Sequence, residues 1–216
     1  MFDLLTETEV RVLGSLVEKQ LTTPEYYPMT LNALVAACNQ KSNRDPVVSF
    51  DESTVTATLD SLRDKNLVYT FHGSTSRVVK YKHMLPNVYE LDPAETAVID
   101  VLMLRGPQTV GEIRGRTDRL FDFSGLPEVQ ETLDKLARRD EPLVVRLERQ
   151  IGQKDARYAH LLSGEIDVST LPVQRERLAT ASSNDQVEQL QSELDAIKDE
   201  IAQLKEEFAK FRQQFE

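Results

Sequence analysis

The chain has 216 residues, 40% of them apolar, and a formal net charge of −10; that is enough for one large domain or two small ones with real cores. Its single cysteine, Cys38, excludes an intramolecular disulfide and fits a reducing compartment, and no run approaches the ~20 apolar residues that span a bilayer. The opening MFDLLTETEV has no cationic region ahead of an apolar run, so no signal peptide is expected, and the expected location is cytoplasmic with no membrane partner.

In chain order, Thr6 is a predicted N-cap, and Glu9 completes a capping box ahead of a helix whose apolar stripe includes Val12, Leu13 and Leu16. MTLNAL, from Met29, predicts a short strand and then a second helix that Thr30 precedes, with Leu31 and Leu34 inward. That helix runs into ACNQKSNRDPVVSFDE, residues 37–52, where Asn39 to Asp45 are all polar. Asn39 suits the left-handed residue that ends helices, and Asp45 before Pro46 suits an extended or turn conformation. Ser49 and Glu52 form another capping-box pattern that starts a third helix. There, Val55, Leu59 and Leu62 fall at i, i+4 and i+7, one helical face. LVYTFHGSTSRVVKYKHML then alternates as two strands around a Gly-containing tip.

After PNVYELDP the same elements return. Asp92, Pro93 and Glu95 open a helix striped by Val98, Ile99 and Leu102, and Thr109 precedes one with Val110 and Ile113 inward. VQETLDKL repeats the third-helix face with Val129, Leu133 and Leu136. LVVRLERQIGQKDARYAHLL repeats the hairpin, with Tyr158 and His160 opposite Tyr81 and His83. Three small helices closed by a hairpin, twice over, predict an α+β, mainly α chain of two tandem winged-helix domains at 1–88 and 89–165. A linker at 166–183 and a long C-terminal coiled-coil helix at 184–216 follow.

Two readings of residues 37–52 stand. One is a corner whose Asn, Ser and Asp side chains satisfy backbone groups. In the other, Lys41, Ser42, Asn43 and Arg44 touch phosphates or an acidic partner. TPEYYPMTLNALVAACNQKSNRDPV, from Thr23, closely resembles the hallmark segment of the YceH family of bacterial proteins, and the similarity continues through VYELDPAETAVIDVLMLRGPQTVGEIRGRT. The resemblance covers roughly residues 1–165; it implies two winged-helix domains and brings no catalytic residues.

An enzyme is not expected. The chain has no G-x-x-x-x-G-K-[ST], G-x-G-x-x-G or G-x-S-x-G motif, and no cofactor or metal is predicted. Its three histidines are His72, His83 and His160; the last two are repeat equivalents that suit packing at the base of a hairpin. Cys38 has no CxxC partner and reads as a core residue.

The net charge decides little about partners, because residues 1–90 carry 9 Lys+Arg against 11 Asp+Glu, residues 91–165 carry 11 against 14, and residues 166–216 carry 6 against 11. A winged helix normally lays its third helix in the major groove, yet here that helix carries Asp51, Glu52, Asp60 and Asp64 against Arg63 and Lys65. From Lys65 to Tyr89 there is no acid, and Arg77, Lys80 and Lys82 lie in that stretch. Candidate phosphate contacts are Lys41, Arg44, Arg77, Lys80, Lys82, Arg114, Arg116 and Arg119. Two functions stay open: a DNA-binding protein of the transcriptional-regulator type, with double-stranded DNA as partner, or a protein-interaction scaffold with an unidentified protein.

The chain is also expected to bind itself. Val187, Leu190, Leu194, Ile197, Ile201, Leu204, Phe208, Phe211 and Phe215 alternate at three and four residues, the a and d positions of a coiled coil. Glu193, Glu200 and Glu207 at g are each followed five residues later by Lys198, Lys205 and Arg212 at e. In a parallel pair these contacts join opposite charges, whereas an antiparallel pair sets like against like, so a parallel homo-oligomer is expected, a dimer in the first instance, with strand number not fixed by the mixed Leu, Ile and Phe seam.

Overall fold

Thr6 caps α1 (Glu7–Thr22): its hydroxyl accepts from the Glu9 N–H at 3.2 Å, and the Glu9 carboxylate accepts from the Thr6 N–H at 2.7 Å. Asp92 and Glu95 make the same exchange at 2.8 and 3.0 Å to start α5 (Pro93–Arg105), with Pro93 where a missing N–H costs nothing. Thr30 caps α2 (Leu31–Cys38), and Thr109 caps α6 (Val110–Arg116) in a box closed by Glu112. The computed structural model describes residues 2–72, 78–149 and 155–164. These form an α+β, mainly helical body of seven α-helices and two small sheets among the described residues.

The order of elements occurs twice. In the first half β1 (Met29–Thr30) precedes α2, then come α3 (Glu52–Asp64) and the hairpin β2 (Val68–His72) and β3 (Val79–His83). In the second half α7 (Leu126–Ala137) follows α6, and β4 (Val144–Arg146) pairs with β5 (Tyr158–His160). α4 (Leu85–Tyr89) lies between the halves. Strand register repeats with the order. Val68 faces His83 and Met29 faces Tyr81 in the antiparallel sheet β1-β3-β2. Val144 faces His160, and a bridge from Gln108 faces Tyr158, in the other.

Burial follows the predicted stripes. Val12, Leu13 and Leu16 of α1, and Val98, Ile99 and Leu102 of α5, are all inaccessible to solvent. So are the third-helix faces: Val55, Leu59 and Leu62 on α3, and Val129, Leu133 and Leu136 on α7. Thr58 and Thr132 occupy matching buried positions and donate their hydroxyls to the carbonyls of Thr54 and Glu128, four residues back. Cys38 is fully buried.

The two halves share one apolar core, and α1 packs on α5. The close approach is made at Gly14, where an added Cβ would lie 2.9 Å from Leu104 Cδ2. Thr6 and Asp92 set the offset between the copies at 86 residues. By that offset Gly14 corresponds to Asp100, and Glu18 to Leu104. Gly14 meets Leu104, and Asp100 lies in the field of Glu18. The N-terminus adds a further tie: Leu5 N–H donates to Leu162 O at 2.8 Å, and the Phe2 ring lies 4.4 Å from that of Tyr89.

Two local expectations are corrected. The N-cap of α3 is Asp51, not Ser49: its carboxylate accepts from the Thr54 N–H at 2.7 Å and from the Ser53 hydroxyl at 2.8 Å, so the helix starts at Glu52. Asn39 is not left-handed, having φ −91° at the end of α2; the left-handed residue of this corner is Asn43, with φ 58°. The heptad positions Val187 to Phe215, the linker before them and Arg77 lie outside the described residues.

Candidate functional site

The corner between α2 and α3 is held from within. The Asn39 amide spans it, donating to Phe50 O at 2.8 Å and accepting from the Phe50 N–H at 2.7 Å. Arg11, buried on α1, donates to Cys38 O at 3.2 Å and Pro46 O at 2.6 Å. Asp45 N–H donates to Leu104 O at 2.9 Å, tying the corner to the second half. Asn39 and Arg11 therefore satisfy backbone groups that are wholly or partly buried, which would otherwise cost free energy.

Arg44 leaves the set of phosphate candidates. Its side chain has no solvent exposure, and its guanidinium forks onto both oxygens of Glu18 at 3.0 and 2.7 Å and onto Ala37 O at 3.1 Å. Burial pushes the Glu18 carboxyl up, but that pairing together with Lys19 holds it below its usual range. Lys41, three residues earlier, is exposed.

The arginines of the second half are mostly engaged. Arg114 pairs with Asp118. Arg116 donates to Gln108 Oε1 at 2.6 Å and lies 3.8 Å from Glu112. Arg157 also binds Glu112, at 2.8 Å, and Arg139 donates to Tyr89 O at 2.5 Å. Arg119 is exposed and makes no ion pair among the described residues. Interleaved acids thus neutralise this side.

The first hairpin is different. Directly opposed residues of an antiparallel pair share a face. Tyr69 lies opposite Lys82 and Phe71 opposite Lys80, so two aromatics and two lysines share one face of β2–β3. Tyr69 and Phe71 are 51% and 50% exposed, and Lys82 is exposed beside them. The two aromatics are not among the residues expected from sequence, although alternation along LVYTF places them on the lysines' face. The other face is closed. Val68 and His83 are buried against the helices, and the Tyr27 hydroxyl accepts from the His83 N–H at 2.6 Å. Burial, with Lys82 adding repulsion, lowers the His83 pKa to about 4. The neutral ring is also required by geometry, because Nδ1 accepts from the Leu85 N–H at 3.3 Å. His160, its register equivalent, is likewise lowered to about 4 by burial.

The α3 face turned to solvent carries Asp51, Glu52, Asp60 and Asp64, with Arg63 paired to Asp60 at 3.0 Å. Among the described residues no His, Cys, Asp and Glu side chains cluster in threes that could hold a metal, and no helix is long and apolar enough to cross a membrane.

The sequence has extensive relatives. It is 60% identical over 168 residues to a UPF0502 protein of Opitutus terrae, covering 77% of this chain and 73% of that one. It is 54% identical over 190 residues to a UPF0502 protein of Citrifermentans bemidjiense, covering 88% of each. A UPF0502 protein of Shewanella piezotolerans is 47% identical over 197 residues, covering 88% of this chain and 91% of the relative. With residues 5–153 matching the family described as "Protein of unknown function, DUF480", the chain belongs to that bacterial family.

Proposed function

We propose that the protein is a non-enzymatic, double-stranded-DNA-binding protein, a regulator in type, built on two winged helices and meeting DNA through the first hairpin rather than through α3. The carrying observation is the shared face of Tyr69, Phe71, Lys80 and Lys82. Lysines supply phosphate affinity, and exposed rings can wedge against sugars and bases in a minor groove. The acids on α3 would repel phosphate in a major groove, so that helix serves as support. The repeated order of caps, helices and hairpins supports the winged-helix reading of both halves. In this reading the arginines of the second half add little.

Changing Arg77, Lys80 and Lys82 together to Gln is expected to weaken binding to all duplex sequences alike. The slope of log affinity against log salt should fall by about 0.9 for each phosphate that these cations no longer neutralise. Tyr69→Ala with Phe71→Ala should weaken binding without altering that slope. A wild-type chain that binds no member of a broad duplex pool at low salt overturns the proposal. That result would favour a second reading, a protein-interaction scaffold that presents the acidic α3 face to a basic partner.

The heptad pattern of residues 184–216 supports a parallel homodimer, which would set two pairs of hairpins on one stalk for paired half-sites. Leu194→Asp with Ile201→Asp places unpaired charge in the seam and is expected to yield monomers. Light scattering that finds the wild type monomeric at micromolar concentration would sink the dimer.

A further inference from the structure

The β2–β3 hairpin repeats one pair of side chains. Tyr69 lies opposite Lys82 and Phe71 opposite Lys80, so a ring beside a cation recurs two residues along the strand, on one face. At the rise of a β-strand that step is about 6.6–6.8 Å, twice the roughly 3.4 Å between stacked bases. Half of Tyr69 and half of Phe71 are open to solvent; Lys82 is exposed and Lys80 half-buried. Neither lysine has an ion pair among the described residues, and the chain holds no acid from Lys65 to Tyr89.

The fold does not demand these residues. Counting from the Val68–His83 and Val144–His160 pairs, the matching positions of the second hairpin are Val145 and Leu147, opposite Ala159 and Arg157. There Leu147 and Ala159 are buried, and Arg157 is paired with Glu112 at 2.8 Å. Of two hairpins with like register, only the first exposes rings beside unpaired cations.

We infer that this face binds an unpaired stretch of DNA, laying two successive bases on Tyr69 and Phe71 with the adjoining phosphates at Lys82 and Lys80. The inference rests on the reading that the hairpin meets DNA, and it narrows the form of DNA taken. In a duplex each base has both faces covered by its neighbours, so two rings one strand step apart have little to stack on. An unpaired strand can spread its bases to that step and present their faces. A ring accepts any base, and lysine contacts to phosphate carry no sequence, so the preference is for strand form rather than for a sequence.

The test measures binding of the full chain by fluorescence anisotropy at one salt concentration. The probes are a labelled DNA strand of mixed sequence, its full duplex, a duplex with a central unpaired bubble, and the RNA strand of the same sequence. The DNA strand and the bubble are expected to bind at least about tenfold tighter than the duplex. Tyr69→Ala with Phe71→Ala, both at exposed positions, should bring them to the duplex level with thermal unfolding unchanged. The chain has no tryptophan, so Phe71→Trp makes a lone reporter. The unpaired strand should quench its emission, and the duplex should not. Duplex binding with no preference for the strand, or a preference that survives loss of both rings, overturns this inference and leaves the duplex reading standing. RNA bound more tightly than DNA also overturns it. If neither strand nor duplex binds, both readings fall.

Discussion

Arg44→Ala is expected to lower the unfolding free energy by about 3–5 kcal/mol, the effect of removing one member of a buried, hydrogen-bonded ion pair. The guanidinium is wholly enclosed and offers donors to Glu18, to Ala37 O and, at 3.3 Å, to Gln40 Oε1. Alanine would leave the largely buried Glu18 carboxylate with only Lys19 as a cationic partner. It would also release one of the ties that hold the corner to α1. Lys41→Ala, three residues away on the exposed side of the same corner, is expected to change stability by no more than about 0.5 kcal/mol. Urea denaturation of the two variants makes the comparison. Equal midpoints would show that the buried pair contributes nothing.

Acidification is expected to remove about 3 kcal/mol for each of His83 and His160. Both folded-state values are depressed from 6.5 to about 4, chiefly by burial. Their contribution is therefore complete above pH 6.5 and is lost as the pH falls toward 4, because the unfolded chain takes up protons that the folded chain refuses. Protonating His83 would also turn the Leu85 N–H against a positive ring nitrogen. Asp100 acts with the opposite sign. Its raised value means that the folded state keeps a proton the unfolded state releases, so its contribution declines as the pH rises above the ordinary carboxylate range. Asp100→Asn should accordingly stabilise the protein at neutral pH and steepen the rise in stability between pH 4 and 6.5. Denaturation midpoints measured from pH 7.5 to 5 in the Asp100→Asn background report chiefly on the histidines, because the lowered carboxyls Glu9, Glu18 and Glu112 contribute to the slope mainly below that range. A flat profile from pH 7.5 to 5 would show that the two rings are not held neutral. His160→Gln should remove about half of the slope.

What could be read from the chain is what depends on near neighbours. A cap needs only a residue and the N–H three positions on, and Thr6, Thr30, Asp92 and Thr109 all cap the helices expected of them. A stripe needs only the helical period, and Leu59 and Leu133 are buried at matching places. The hairpins recur with the same partners because alternation and an internal repeat constrain register together. Local rules misplaced the start of α3 because Ser49 and Asp51 both suit a cap, and the choice was made by where the chain returned from the Asn39–Phe50 clasp. Tertiary packing also separated Arg44 from Lys41. Both read as loop cations, but only one lies within reach of Glu18, 26 residues earlier. The same packing placed Asp100, an ordinary polar position in a helical stripe, against α1 beside Glu18, where α1 and α5 cross close to Gly14. Helical period says which residues share a face; it does not say which face another helix will cover, and that coverage is what turns a solvated carboxylate into a buried acid.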